Sequence, residues 1–121
     1  MGKYQRDKGA GYEREIVHAL KAIYPHAERG LGQARSGGDI PDVDGTPFWI
    51  ECKRGKSCSA HAAIKQARDN SKIACEKHRK PKRIPIAILR RDTETSIAVM
   101  DLATFAALAA CAGWPWPPES R

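Results

Sequence analysis

Long apolar runs are missing from this 121-residue sequence, and none approaches the ~20 residues that a membrane-spanning helix needs. No membrane partner is therefore expected. Met1-Gly2-Lys3-Tyr4-Gln5-Arg6 is charged but has no apolar segment behind it, which leaves no secretory signal to read. Also missing is any Cys-x-x-Cys pair. Cys52, Cys58, Cys75 and Cys111 are scattered, and His61 and His78 complete no regular zinc spacing, so reduced thiols in a cytoplasm are expected. Acid is in deficit as well. Fourteen Asp and Glu face 21 Lys and Arg, a net charge of +7, and a chain with that surplus suits a polyanion, because neutralising phosphates releases counterions. Internal repeats and linkers are absent too, and the length suits one domain over residues 1–121. Residues 1–9 and 114–121 read as loosely ordered ends, the latter because its prolines cannot continue a helix.

What is present alternates between helical and strand periods. Ile16, Leu20 and Ile23 recur at helical spacing with Val17 and Tyr24 beside them, predicting a helix from about Ala10 to Tyr24 that Pro25 ends. Glu13 falls within that apolar stripe and Glu15 well off it. A carboxylate on a core-facing stripe needs a reason, since burying it unpaired is expensive. Arg29 to Gly38 reads as a loop. Strands follow over Ile40–Val43 and Phe48–Lys53, with Asp44-Gly45-Thr46-Pro47 between them. A second helix is expected over His61–Cys75, capped by Ser57 or Ser59. Pro85–Leu89 and Ser96–Met100 form a hairpin across Arg91-Asp92-Thr93-Glu94. Asp101 then caps a helix from Leu102 to about Cys111, stopped by Gly113. The order α-β-β-α-β-β-α defines an α/β chain with a mixed sheet flanked by helices.

Along Phe48–Lys53 the side chains alternate, so Phe48, Ile50 and Cys52 suit a core while Trp49, Glu51 and Lys53 share the other face. Glu51 and Lys53 alone are equally a surface ion pair, worth little. Loop parity adds a partner. An even loop puts Asp42 on the face of Glu51, and an odd loop reverses this and favours Asp39. With the four-residue loop Asp42 sits opposite Trp49, diagonal to Glu51. Asp42 is preferred and Asp39 is its substitute.

Pro41-Asp42 followed by Glu51-Cys52-Lys53 resembles the PD-(D/E)xK nuclease pattern. Lys8-Gly9 ahead of Glu13-Arg14-Glu15-Ile16-Val17 resembles the opening helix of the archaeal and phage Holliday junction resolvases of that superfamily, and Arg35-Ser36-Gly37 resembles the loop before their metal-binding aspartate. The resemblance covers roughly residues 8–70, and the interval from Asp42 to Glu51 is shorter than in many relatives. It implies a restriction-endonuclease-like core. It also implies an Mg²⁺ site, with Mn²⁺ substituting, held by Asp42 and Glu51 with the Cys52 carbonyl as a further oxygen. Lys53 would orient the attacking water or offset charge on the phosphate, Glu13 would hold a water beside the ion, and Gln66 would line the site, its alternative being a plain solvent-facing position. No nucleotide cofactor is implied.

Lys8, Arg14, Arg35, Ser36, Arg54, Lys56, Lys72, Arg79 and Lys80 are candidate DNA contacts, and the absence of a base-reading motif favours recognition by shape. The implied activity is metal-dependent cleavage of branched double-stranded DNA, four-way junctions above all, by a homodimer in the cytoplasm, a bacterial host's if the source is a phage. Alternatives are a nicking or restriction-like nuclease on the same scaffold, or a basic binding domain without catalysis. Trp114 and Trp116 would either join a dimer interface or cover the monomer's own core.

Overall fold

A computed structural model describes residues 2–30, 40–113 and 117. Three helices and five strands follow in the order α1 (Lys3–Leu20), β1 (Glu28–Arg29), β2 (Val43–Asp44), β3 (Phe48–Gly55), α2 (Ala60–Lys77), β4 (Ile84–Arg91), β5 (Ile97–Val99) and α3 (Leu102–Ala112) among the described residues. The strands form one mixed sheet in the spatial order β1-β2-β3-β4-β5. All neighbours are antiparallel except β3 and β4, which run parallel from Phe48↔Ile84 to Gly55↔Arg91 with α2 as the crossover.

Both faces of β3 are covered. Ile50, with half-buried Phe48 and Cys52 beside it, packs with Val43 and Ile86 against Tyr12, Ile16 and Val17 of α1. On the opposite face Trp49 packs with Ala87 and Leu89 against Ala63, Ile64, Ala67 and Ala74 of α2. The alternation along β3 thus holds, but the face of Trp49 and Glu51 is as dry as the other. Small alanines on α2 let the helix settle close enough to bury the indole. Ser59 is the α2 cap, its Oγ accepting from the Ala62 N–H at 3.1 Å.

Several boundaries differ from the sequence reading, for identifiable reasons. Helix α1 begins at Lys3, so residues 3–9 are helical rather than loose, and Lys8 ties that end to Asp92 at 2.7 Å. It closes at Leu20, leaving Ile23 67% exposed while Tyr12 takes its place in the stripe. The strand expected over Ile40–Val43 shrinks to Val43–Asp44, because Pro41 has no N–H to give a ladder. Glu28–Arg29, expected as loop at Arg29, pairs with β2. Asp101 stands at the start of α3, but its side chain makes no capping bond and lies 3.8 Å from Arg68. Gly113 does end that helix, at φ 66°. None of the residues of helix α3 is buried.

Two glycines pin the segment carrying Asp42. At Gly45, φ is 81° and a Cβ would collide with the His26 carbonyl, so the β2–β3 turn accepts no other residue without strain. A Cβ on Gly30 would collide with the Pro41 carbonyl, and the Gly30 N–H donates to the Asp42 carbonyl at 3.0 Å.

Candidate active site

The β2–β3 register decides the centre of the site. Val43 pairs with Ile50 rather than with Phe48, two residues from the expected register but with the same even parity, and Asp42 follows just outside the ladder. Asp42 lies one residue beyond β2, yet its N–H still donates to the Ile50 carbonyl at 2.9 Å. Its Oδ2 accepts the Cys52 N–H at 2.7 Å, so the carboxylate is held by the backbone next to Glu51. The carboxyls of Asp42 and Glu51 come within hydrogen-bonding reach of each other.

Glu51 is 3% exposed and Asp42 8%. Two donors reach Glu51 Oε1 at 3.0 Å each, Trp49 Nε1 from its own strand and Asn70 Nδ2 from α2. Both are neutral and both meet the same oxygen, so they fix the carboxylate without neutralising it and leave the lone pairs of Oε2 uncommitted to them. Burial, followed by the charge of Asp42, pushes the Glu51 carboxyl above the usual carboxylate range. Glu13 is raised for the same two reasons in the same order, and its partner is Arg29 of β1, whose Nε lies 3.1 Å from Oε1. That ion pair answers part of the question posed by an acid on the inner stripe of α1. Cys52 titrates well above the ordinary thiol range, chiefly through burial and then through the surrounding carboxylates, so it stays a neutral thiol here.

Glu13, Asp42, Glu51, Cys52, Lys53, Gln66 and Asn70 line one cleft of about 1020 Å³, and Arg6, Lys8, Arg29, Arg54 and Lys56 line it as well. Its floor is acidic and its rim basic. The structure brings together Glu13, Asp42, Glu51, Lys53 and Gln66 from the sequence reading, with Lys8, Arg54 and Lys56 among the proposed DNA contacts. Gln66 is exposed at the edge of the cleft, and the residue of α2 that touches Glu51 is Asn70. Sequence reasoning missed Asn70, although it stands four residues after Gln66 and so shares its helical face. It also missed Arg29 as the partner of Glu13. Arg14, Lys72, Arg79 and Lys80 are exposed outside the cleft lining. Asp39, Arg35 and Ser36 lie outside the described residues.

Among the described residues, no three His, Cys, Asp or Glu side chains converge closely enough to enclose an ion by themselves. The donor set nevertheless fits Mg²⁺. That ion takes hard oxygen ligands, keeps several waters and is held by one or two carboxylates rather than by an all-protein cage. Two adjacent buried carboxylates, each fixed by neutral donors, form such a partial set, and a cation would relieve their mutual repulsion. No helix among the described residues is long and apolar enough to cross a membrane. Comparison with protein-family models, with curated proteins and with solved structures finds no match to this chain.

Proposed function

We propose that this chain is an Mg²⁺-dependent endodeoxyribonuclease of the PD-(D/E)xK type with a restriction-endonuclease-like core, acting on branched DNA and above all on four-way junctions. The observation that carries the reading is the carboxyls of Asp42 and Glu51 side by side, both buried, at the floor of a cleft that also holds Lys53 and is rimmed by cations. A surface ion pair would explain Glu51 and Lys53 alone. It would not explain a dry carboxylate pair braced by an indole, an amide and a backbone N–H.

When bound, Mg²⁺ would polarise the scissile phosphate and make attack by water feasible at neutral pH. Asp42, Glu51 and the Cys52 carbonyl would hold it. Trp49 and Asn70 keep Glu51 in one orientation, and the Cys52 N–H does the same for Asp42. Lys53, on the Glu51 face of β3, would donate to the phosphate oxygens as charge builds there. Glu13 would accept a hydrogen bond from water, with Arg29 limiting the cost of its charge. Lys8, Arg54 and Lys56 would position the backbone without reading bases.

The test is a panel of four-way, three-way, flap and linear DNAs of one length. The expected result is hydrolysis with Mg²⁺ or Mn²⁺ and none in EDTA, with the four-way junction cut fastest. A protein that binds these DNAs but cuts none of them is a binding domain. One that cuts linear duplex as fast as junctions is a nuclease of another specificity.

Paired cuts across a junction require two copies of the site, and α3 is the surface we assign to the second copy. Leu102 is 81% exposed, Phe105 59%, and Ile97 on the edge strand β5 52%. Residues 102–113 carry no charge in a chain of net charge +7, so two copies that repel elsewhere can meet there. Trp114 and Trp116, also considered for this interface, lie outside the described residues. Leu102→Glu with Phe105→Glu is expected to convert a dimer to a monomer by light scattering and to uncouple the two cuts. A wild-type chain that stays monomeric at high concentration would remove this assignment.

A further inference from the structure

Tyr4 exposes 75% of its surface, more than any other Phe, Tyr or Trp among the described residues. It stands on the first turn of α1, nine residues before Glu13 on the same helix and therefore about 14 Å along its axis. Tyr4 lines the main cleft and also a neighbouring hollow of about 460 Å³ shared with Asp7, Lys8, Arg54, Asp92 and Thr93. Lys8 Nζ lies 6.0 Å from the ring centroid. The cations beside the ring are held in place: Asp92 pairs with Lys8 at 2.7 Å and with Arg54 at 3.8 Å, and its carboxyl is held below the usual range, first by its hydrogen bond to Lys8. An exposed aromatic between ordered cations, in a groove leading to the carboxylates, is the arrangement by which proteins hold single-stranded nucleic acid, charge tracking the backbone while a ring stacks on a base.

We propose that Tyr4 is a stacking platform for an unpaired nucleobase of the bound DNA. This rests on the nuclease reading and deepens it by supplying a source of branch selectivity. Within a duplex both faces of each base are already stacked, and the ring finds no partner. At a branch point, flap or frayed end a base can leave the stack, and only such DNA gains the contact. The backbone of that strand would run past Lys8, Arg54 and Lys56 along the cleft toward the carboxylates.

The test is binding in EDTA, where no cleavage can occur, using a flap DNA with 2-aminopurine at successive unpaired positions and a blunt duplex of equal length. Tyr4→Ala is expected to weaken flap binding by about 5- to 100-fold, with under about 2-fold change on the duplex. Tyr4→Phe should keep wild-type affinity. Wild type and Tyr4→Phe should quench 2-aminopurine at one position, and Tyr4→Ala should not. If Tyr4→Ala weakens both DNAs equally, or if Tyr4→Phe behaves like Tyr4→Ala, the ring is not a stacking platform and the nuclease reading stands. If the wild type binds neither DNA, both readings fall.

Discussion

Glu51→Gln is expected to lower Mg²⁺-dependent cleavage by about 10³-fold or more while leaving DNA binding unchanged or tighter and the folded state more stable. The three effects share one cause. Burial and the neighbouring Asp42 raise the Glu51 carboxyl above its ordinary range, so the folded chain holds that proton more tightly than the unfolded chain does. For an acid shifted upward, the penalty is absent below the unfolded value and grows as pH rises through the folded one. Ionised Glu51 therefore costs stability at neutral pH, and the wild type should become more stable on acidification just above the ordinary carboxylate range. Glutamine keeps an oxygen for Trp49 Nε1 and Asn70 Nδ2 and removes the charge. A gain on the order of 1 kcal/mol, about 4 °C in Tm, is expected at pH 7.5 without metal. The acid-side gain should shrink but persist in part, because Glu13 is shifted in the same sense. Added Mg²⁺ should raise Tm in the wild type and not in the variant. A variant that still cuts, or a wild type whose Tm ignores both Mg²⁺ and Mn²⁺, contradicts a metal site at Glu51.

Trp49→Ala is expected to cost about 3–5 kcal/mol in urea unfolding, a large part of the ~5–15 kcal/mol that holds a domain of this size together. Trp49 is 2% exposed and fills the space between the sheet and α2, where most of the neighbouring helix side chains are alanines too short to fill the hole. Trp49→Phe separates the two roles of the residue. An aromatic ring survives, the Nε1 donor to Glu51 does not, and a loss of about 1.5–3 kcal/mol follows from one hydrogen bond to a charged group. With Glu51 held by Asn70 alone, Mg²⁺ affinity and the cleavage rate should fall together by about 10- to 100-fold, as they do when a partner that orients a metal ligand is removed. Unchanged metal response in Trp49→Phe would mean that the indole only fills space.

The site was legible in the sequence to the extent that it lay along single elements. Alternation put Trp49, Glu51 and Lys53 on one face of a strand, and even loop parity chose Asp42 as their companion. The parity was right and the register was two residues off, because Pro41 shortens β2 and Gly45 sets a tight turn against His26, neither of which a count of loop residues weighs. Helical spacing put Glu13 on the inner side of α1 but could not show Arg29 waiting on β1, a two-residue strand too short to leave a periodic signal. The basic cluster at the end of α2 looked like part of the site by charge, and Lys72, Arg79 and Lys80 lie outside the cleft.

By itself, then, the sequence determined the α/β class, the helices and strands with strong periodicity, the surplus of positive charge and the acidic residues that share a strand face. Those follow from local alternation and composition, which operate over a few residues. Only the tertiary structure decided that the carboxyls of Asp42 and Glu51 meet, that Trp49 and Asn70 brace the same oxygen, that the face carrying Glu51 is dry, and that no residue of α3 is buried. Each of those depends on how closely two distant segments approach. That distance is set by side-chain volume, by glycines that admit a neighbouring carbonyl and by a proline that ends a ladder, acting between elements rather than along one.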